Sequence, residues 1–264
     1  MCKNTNKITL PLWQGLFYPL TIIKNNNIPF LKLTSLFALI ITSITFLFGR
    51  SYACSLNIQT PFYCSNSTIN TIILLVVLIY LIATYINRLI LITSNPISLK
   101  EALTTYNFKK DLKIILIMIL NITAWAGIVV SLFLLFNRKA TPDFLYELGY
   151  FTLFSLTILI STIYLLNNVL TYRFIENKNC LQFNKSFWTT FDNLYKILLW
   201  FLLSFMFFSW IMKTTIIILL SIKEGLFIYY FLGEFLFSYT ILSAYAYWIF
   251  QLQFQDKYIF KSEE

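Results

Sequence analysis

Two ionisable residues lie inside long apolar runs of this 264-residue chain, Lys213 in one run and Glu234 in the next. A charge in such a place is costly, so each residue marks candidate chemistry. They flank a turn near Lys223-Glu224-Gly225, each about ten residues from it, or roughly 15 Å at 1.5 Å per residue. Antiparallel neighbours at equal depth can meet, so Lys213 and Glu234 are expected to form an intramembrane ion pair. Such a pair either cancels two charges and fixes the register of a hairpin, or lines a polar cavity for a proton, an ion or a lipid headgroup. Ser209 lies one helical turn before Lys213, the spacing of a Ser–Lys dyad, but nothing nearby supplies an oxyanion hole. Histidine is absent, which excludes imidazole as base, acid or metal ligand. No phosphate loop, H-E-x-x-H, C-x-x-C or G-x-S-x-G pattern occurs. The chain therefore reads as a non-enzyme, with no catalytic residue, cofactor or metal site expected.

The elements that must position these residues follow from composition. Hydrophobic residues make up 58% of the chain and charged residues 12%, half the roughly 25% of a soluble domain. Apolar runs at about 28–48, 69–92, 112–136, 144–171, 195–221 and 226–250 are each long enough to cross a bilayer core. The expected fold is all-α: a polytopic membrane protein of six transmembrane helices arranged as three hairpins, forming one integral membrane domain over residues 1–264. Pro11, Pro19 and the Asn25-Asn26-Asn27 run interrupt the first stretch, so the first span is expected to double as an uncleaved targeting signal.

A net charge of +9 would suggest nucleic acid in a soluble chain, but here it resolves into sidedness. Fifteen Lys and Arg fall in the N-terminal tail, the second and fourth loops and the C-terminal tail. Only Arg50, Arg138, Lys139 and Lys223 fall on the other side. That bias places both termini in the cytoplasm and leaves nucleic-acid binding without a role. Abundant Ile, Asn, Lys and Phe fit an AT-rich bacterial genome, and hence an inner (plasma) membrane. The outer loop then carries Cys54 and Cys64, with nine residues between them, on the oxidising side. They either close a disulfide or stand as two thiols sharing a loop.

Ser98-Leu99-Lys100-Glu101 is a capping-box pattern, and Leu99, Ala102, Leu103 and Tyr106 follow at the spacing of one helix face. Phe183, Phe187, Trp188, Phe191 and Leu194 form a similar stripe before the fifth span, and Leu12, Trp13, Leu16 and Phe17 a weaker one before the first. Each is expected to be a cytoplasmic-side interfacial amphipathic helix preceding a hairpin. The units repeat at about 8–92, 97–171 and 179–250. Membrane lipids are the expected partners, and assembly with another membrane protein stays open.

This layout resembles that of the YciC-like bacterial inner-membrane proteins, and more loosely the membrane domain attached to some glycerophosphodiester phosphodiesterases. The stretches carrying the resemblance are Asn168-Val169-Leu170 through Glu176-Asn177-Lys178 into Ser186-Phe187-Trp188, and Ser209-Trp210-Ile211-Met212-Lys213-Thr214. The resemblance implies six spans alternating with amphipathic helices and brings no catalytic residues. The expected function is envelope or membrane-lipid homeostasis. The alternative is a transporter or permease-like subunit with Lys213 and Glu234 at a polar site within the membrane.

Overall fold

Ten α-helices occur among the described residues, which in this computed structural model are 9–48, 68–94, 98–105, 107–136, 144–178, 180, 183–221 and 227–260. Six are long: α2 (Asn27–Phe48), α3 (Thr68–Ser94), α5 (Phe108–Phe136), α6 (Phe144–Leu166), α9 (Leu194–Ser221) and α10 (Phe227–Ile259). Each contains a stretch long and apolar enough to cross a membrane, so the chain is an all-α, multi-pass membrane protein. The short helices are α1 (Leu12–Asn25), α4 (Leu99–Thr104), α7 (Asn168–Ile175) and α8 (Phe183–Asp192). A short helix thus stands before each pair of long ones.

Two boundaries differ from the sequence reading. The fourth apolar run is not one helix: Asn167 folds its side-chain amide onto the Ile163 carbonyl and separates α6 from α7. The sixth runs to Ile259, and its 33 residues give about 50 Å at 1.5 Å per residue. A hydrocarbon core is only about 30 Å thick. The polar run beginning at Gln251 therefore lies beyond the length the core can hold.

The chain divides into two compact units. One comprises Trp13–Leu112 and Leu198–Gln251. Here α2 packs on α3, with the Phe37 and Tyr85 rings 5.7 Å apart, and Leu33, Phe37, Ala38 and Ile41 of α2 and Ala83, Ile86, Leu89 and Ile90 of α3 are all buried. Two pairs of hydroxyls on facing helices satisfy each other, where the bilayer offers no water to do so. Thr34 Oγ1 lies 3.0 Å from the Tyr85 hydroxyl, and Thr42 Oγ1 donates to Ser238 Oγ at 3.4 Å. In α1, Gly15 and Pro19 are buried one turn apart, and proline there removes the amide that Gly15's carbonyl would accept. The ring of the fully buried Trp200 presses on Gly15, where a Cβ would come within 2.1 Å of it.

The other unit comprises Met1–Leu12, Lys113–Ile197 and Leu252–Glu264. Within it α5 and α6 approach closely at small residues, with Gly127 opposite Ser161 and Thr157. Asn193, between α8 and α9, anchors the segment before α1. Its Oδ1 accepts from the buried Leu10 amide at 2.9 Å, while Lys196 Nζ donates to the Leu10 carbonyl at 2.6 Å.

Because the Trp200 ring is rigid and enclosed, Gly15→Ala should cost about 1–3 kcal/mol, the usual range for overpacking. Thermal unfolding in detergent should show a clear drop for Gly15→Ala and little change for Gly149→Ala, whose added Cβ meets nothing. Equal midpoints for the two variants would contradict the close approach.

Candidate functional site

Helix α7 ends in a way that concentrates positive charge. Asn177 adopts a left-handed conformation (φ 57°), which asparagine tolerates better than most residues. The Lys178 amide then donates to the Arg173 carbonyl at 2.9 Å and the Asn177 amide to the Phe174 carbonyl at 3.3 Å. This is the Schellman pattern of helix termination. It brings the side chains of Arg173 and Lys178, five positions apart, to one carboxylate. Arg173 Nη1 donates to Asp256 Oδ1 at 3.0 Å, and Lys178 Nζ to Asp256 Oδ2 at 2.9 Å. Lys113 completes the cap from α5, donating to the Phe174 carbonyl at 3.2 Å and to Asn177 Oδ1 at 2.5 Å.

Arg173 also lies over the Phe260 ring, its guanidinium carbon 3.9 Å from the centroid, and Lys185 of α8 approaches the same ring at 5.1 Å. Arg173 and Asp256 are buried, whereas Lys178 is 38% exposed. The arrangement combines a desolvated ion pair, a second cation at the surface and an aromatic ring between two positive groups.

Beside this centre, α8 turns its faces the opposite way to a helix of a soluble protein. Ser186, Thr189 and Thr190 are buried, while Phe183, Trp188 and Phe191 are 47–59% exposed. Phe183, Phe187 and Phe191 stack in a ladder with centroid spacings of 6.2 Å, and Trp188 meets Phe187 and Phe191 edge-on. In α1, Trp13 stacks on Phe17 at 6.3 Å, and both are exposed together with Leu20. Phe187, Trp188 and Phe191 therefore lie together on one helical stripe, as their spacing implies.

The segment at α4 is less regular. Its capping box is present, with Ser98 Oγ accepting from the Glu101 amide at 3.2 Å and Glu101 Oε2 accepting from the Ser98 amide at 3.0 Å. The helix stops at Thr104, however. The hydroxyls of Thr104 and Thr105 bond back to carbonyls of the same turn, and Thr105 is extended. Leu99 and Leu103 are on this short helix, Leu103 exposed and the neighbouring Ala102 buried. Tyr106 lies outside the described residues. Asn107 then caps α5, accepting from the Lys110 amide at 3.1 Å, so Lys109 and Lys110 belong to the first turn of a spanning helix.

Lys213 and Glu234 are not joined. Lys213 is exposed on the side of α9 that also carries Met206 and Trp210, whereas Glu234 Oε2 accepts from the Thr45 hydroxyl of α2 at 3.1 Å. Lys213 lies inside α9, which continues to Ser221 through the apolar sequence Ile216–Leu220. Asn121 likewise bonds within its own helix, to the Ile117 carbonyl, rather than to a neighbour. Cys54 and Cys64 lie outside the described residues.

Two polar centres escaped the sequence reading. One is Asp256 with Arg173 and Lys178; its signals were an asparagine closing a helical run and the single acidic residue between Glu234 and Glu263. The other is Asn87 Nδ2 donating to Asp111 Oδ1 at 2.5 Å, with Arg88 next in sequence and all three residues buried. Arg88, near the end of α3, is only 3% exposed. Comparison with protein-family profiles, with curated proteins and with solved structures returned no match to this chain.

Removing one partner of a buried ion pair typically costs about 3–5 kcal/mol. Asp256→Asn should therefore lower the unfolding midpoint strongly, while Lys178→Gln, at the exposed edge, should cost about 1 kcal/mol or less. Asn177→Gly should be tolerated and Asn177→Ala should lose roughly 1–2 kcal/mol through its left-handed backbone. Thermal melts of the four variants decide this: equal losses for Asp256→Asn and Lys178→Gln would contradict the assignment of the buried pair.

Proposed function

We propose that this chain is a non-enzymatic protein of a bacterial inner membrane that acts in envelope or membrane-lipid homeostasis, its short helices lying in the cytoplasmic leaflet and reading its lipids. The observation that carries this reading is the reversed amphipathicity of α8, which buries serine and threonine and presents an aromatic ladder outward. Exposed aromatic faces at the ends of spanning helices suit the boundary between headgroups and acyl chains. The fifteen-to-four distribution of basic residues favours placing both termini, and with them the short helices, on the cytoplasmic side. Lys24, Lys32, Lys100 and Lys109 are exposed and would lie on that side. Each would attract anionic lipid by about 1 kcal/mol near the surface. The YciC-like layout points the same way.

The transport alternative takes second place. It requires a polar path at Lys213 and Glu234, and Glu234 is engaged by Thr45 while Lys213 faces outward.

The test uses the full chain in vesicles of phosphatidylcholine and phosphatidylglycerol in equal parts, followed by mild extraction and analysis of the copurified lipid. The anionic lipid should be enriched at least twofold. Lys24→Gln, Lys32→Gln, Lys100→Gln and Lys109→Gln combined should return the ratio to that of the bulk. Copurified lipid at the bulk ratio in the unmodified protein would overturn the lipid-reading proposal.

A further inference from the structure

Within the unit formed by Trp13–Leu112 and Leu198–Gln251 lies a cavity of about 520 Å³. Its walls come from α1 and from three spanning helices, α2, α9 and α10. Small residues open it: Ser204 on α9 and Thr240 and Ser243 on α10 stand among leucines and phenylalanines, so no side chain fills the space between the helices. The Ser243 hydroxyl is buried and has no hydrogen-bond partner among the described residues. Several walls continue onto the outer surface, since Phe17, Leu20, Phe207 and Leu236 line the cavity and are also 41–57% exposed. The cavity is therefore continuous with the apolar surface that a bilayer would cover.

We infer that this cavity holds one acyl chain of a membrane phospholipid, with the headgroup on the side where α1 ends. The inference rests on the lipid-facing reading of the short helices given above. Its size favours a chain over a protein segment. A helix about 10 Å across rising 1.5 Å per residue takes roughly 120 Å³ per residue, so the cavity would hold only about four residues of one. Volumes of 300–1,000 Å³ are ordinary for small-molecule pockets. The charge also matches a phospholipid: exposed Lys24 follows the lining residue Ile23, and exposed Lys32 lies two positions after the lining residue Phe30. Both cations thus sit on the chain segments that wall the cavity, where a phosphate would be attracted.

The test is photocrosslinking of the full chain in vesicles containing a phospholipid with a diazirine on one acyl chain, the adducts being located by mass spectrometry. Adducts should concentrate on residues 203–211 and 236–247. Ser243→Leu, which fills the space, should reduce them at least threefold while adducts on the exposed face of α6, at Phe151 and Leu159, stay unchanged and report an intact fold. Unchanged adducts in Ser243→Leu, an even spread over all outward-facing residues, or crosslinks to a second copy of the chain would overturn the inference. Should Ser243→Leu fail to fold, native mass spectrometry of the unmodified protein decides instead: one retained phospholipid after delipidation supports the cavity, and a bare chain overturns it. Enrichment of anionic lipid at the lysines and occupancy of the cavity are read separately, so either proposal can fail while the other stands.

Discussion

A carboxylate shared by two cations governs how the longest helix ends. Helix α10 exceeds the hydrocarbon thickness by several turns, and its last turns must be held by something other than lipid. Asp256 supplies that hold, but a buried carboxylate is costly unless it is paired and hydrogen-bonded. The pairing is possible only because α7 terminates at Asn177 in a left-handed turn, which presents Arg173 and Lys178 together. Phe260 lies against Arg173 and Lys185, and Lys113 neutralises the carbonyl end of α7. Removing Asp256 would therefore leave a guanidinium enclosed without its counter-charge, in the same unit where α8 is seated.

The setting of α8 gives the structure its functional direction. In water, a helix that buried Ser186, Thr189 and Thr190 and exposed Phe183, Trp188 and Phe191 would be inside out. In a bilayer the same helix is correctly oriented on its outer side, because lipid solvates the aromatic face, while Ser186 Oγ and Thr190 Oγ1 are buried without a hydrogen-bond partner among the described residues. On α2, α3 and α10 the hydroxyl pairs Thr34–Tyr85 and Thr42–Ser238 are buried, while leucine, phenylalanine and valine cover much of the outside of the spanning helices.

How much of this was legible in the sequence depended on the range of the interaction. The Ser98–Glu101 capping box and the α8 stripe are local patterns, set by residues three or four positions apart; the box is present, and the stripe holds for Phe183, Phe187, Trp188 and Phe191, while Leu194 begins α9. Span lengths followed from runs of apolar residues, except where a single side chain, Asn167, folded back and broke a run, and where α10 continued past its apolar run to Ile259. The Lys213–Glu234 pairing was read from depth alone. Counting residues along a helix gives depth, at 1.5 Å each, but not rotation about the axis. Where a helix is apolar on every side, as α9 and α10 nearly are, no stripe marks the inner face. Arg173 and Asp256, 83 positions apart, were invisible for the same reason: only the fold brings them together.

The claim on which the rest turns is that the aromatic face of α8 meets lipid. Spin labels placed one at a time at positions 183–192 of the full chain in bilayers, with collision by oxygen measured at each, test it directly. Oxygen accessibility should rise at 183, 187, 188 and 191 and fall at 186, 189 and 190, with low accessibility to a water-soluble relaxant at the peaks. Peaks that were instead more accessible to the water-soluble relaxant than to oxygen would place that face in water and contradict the account.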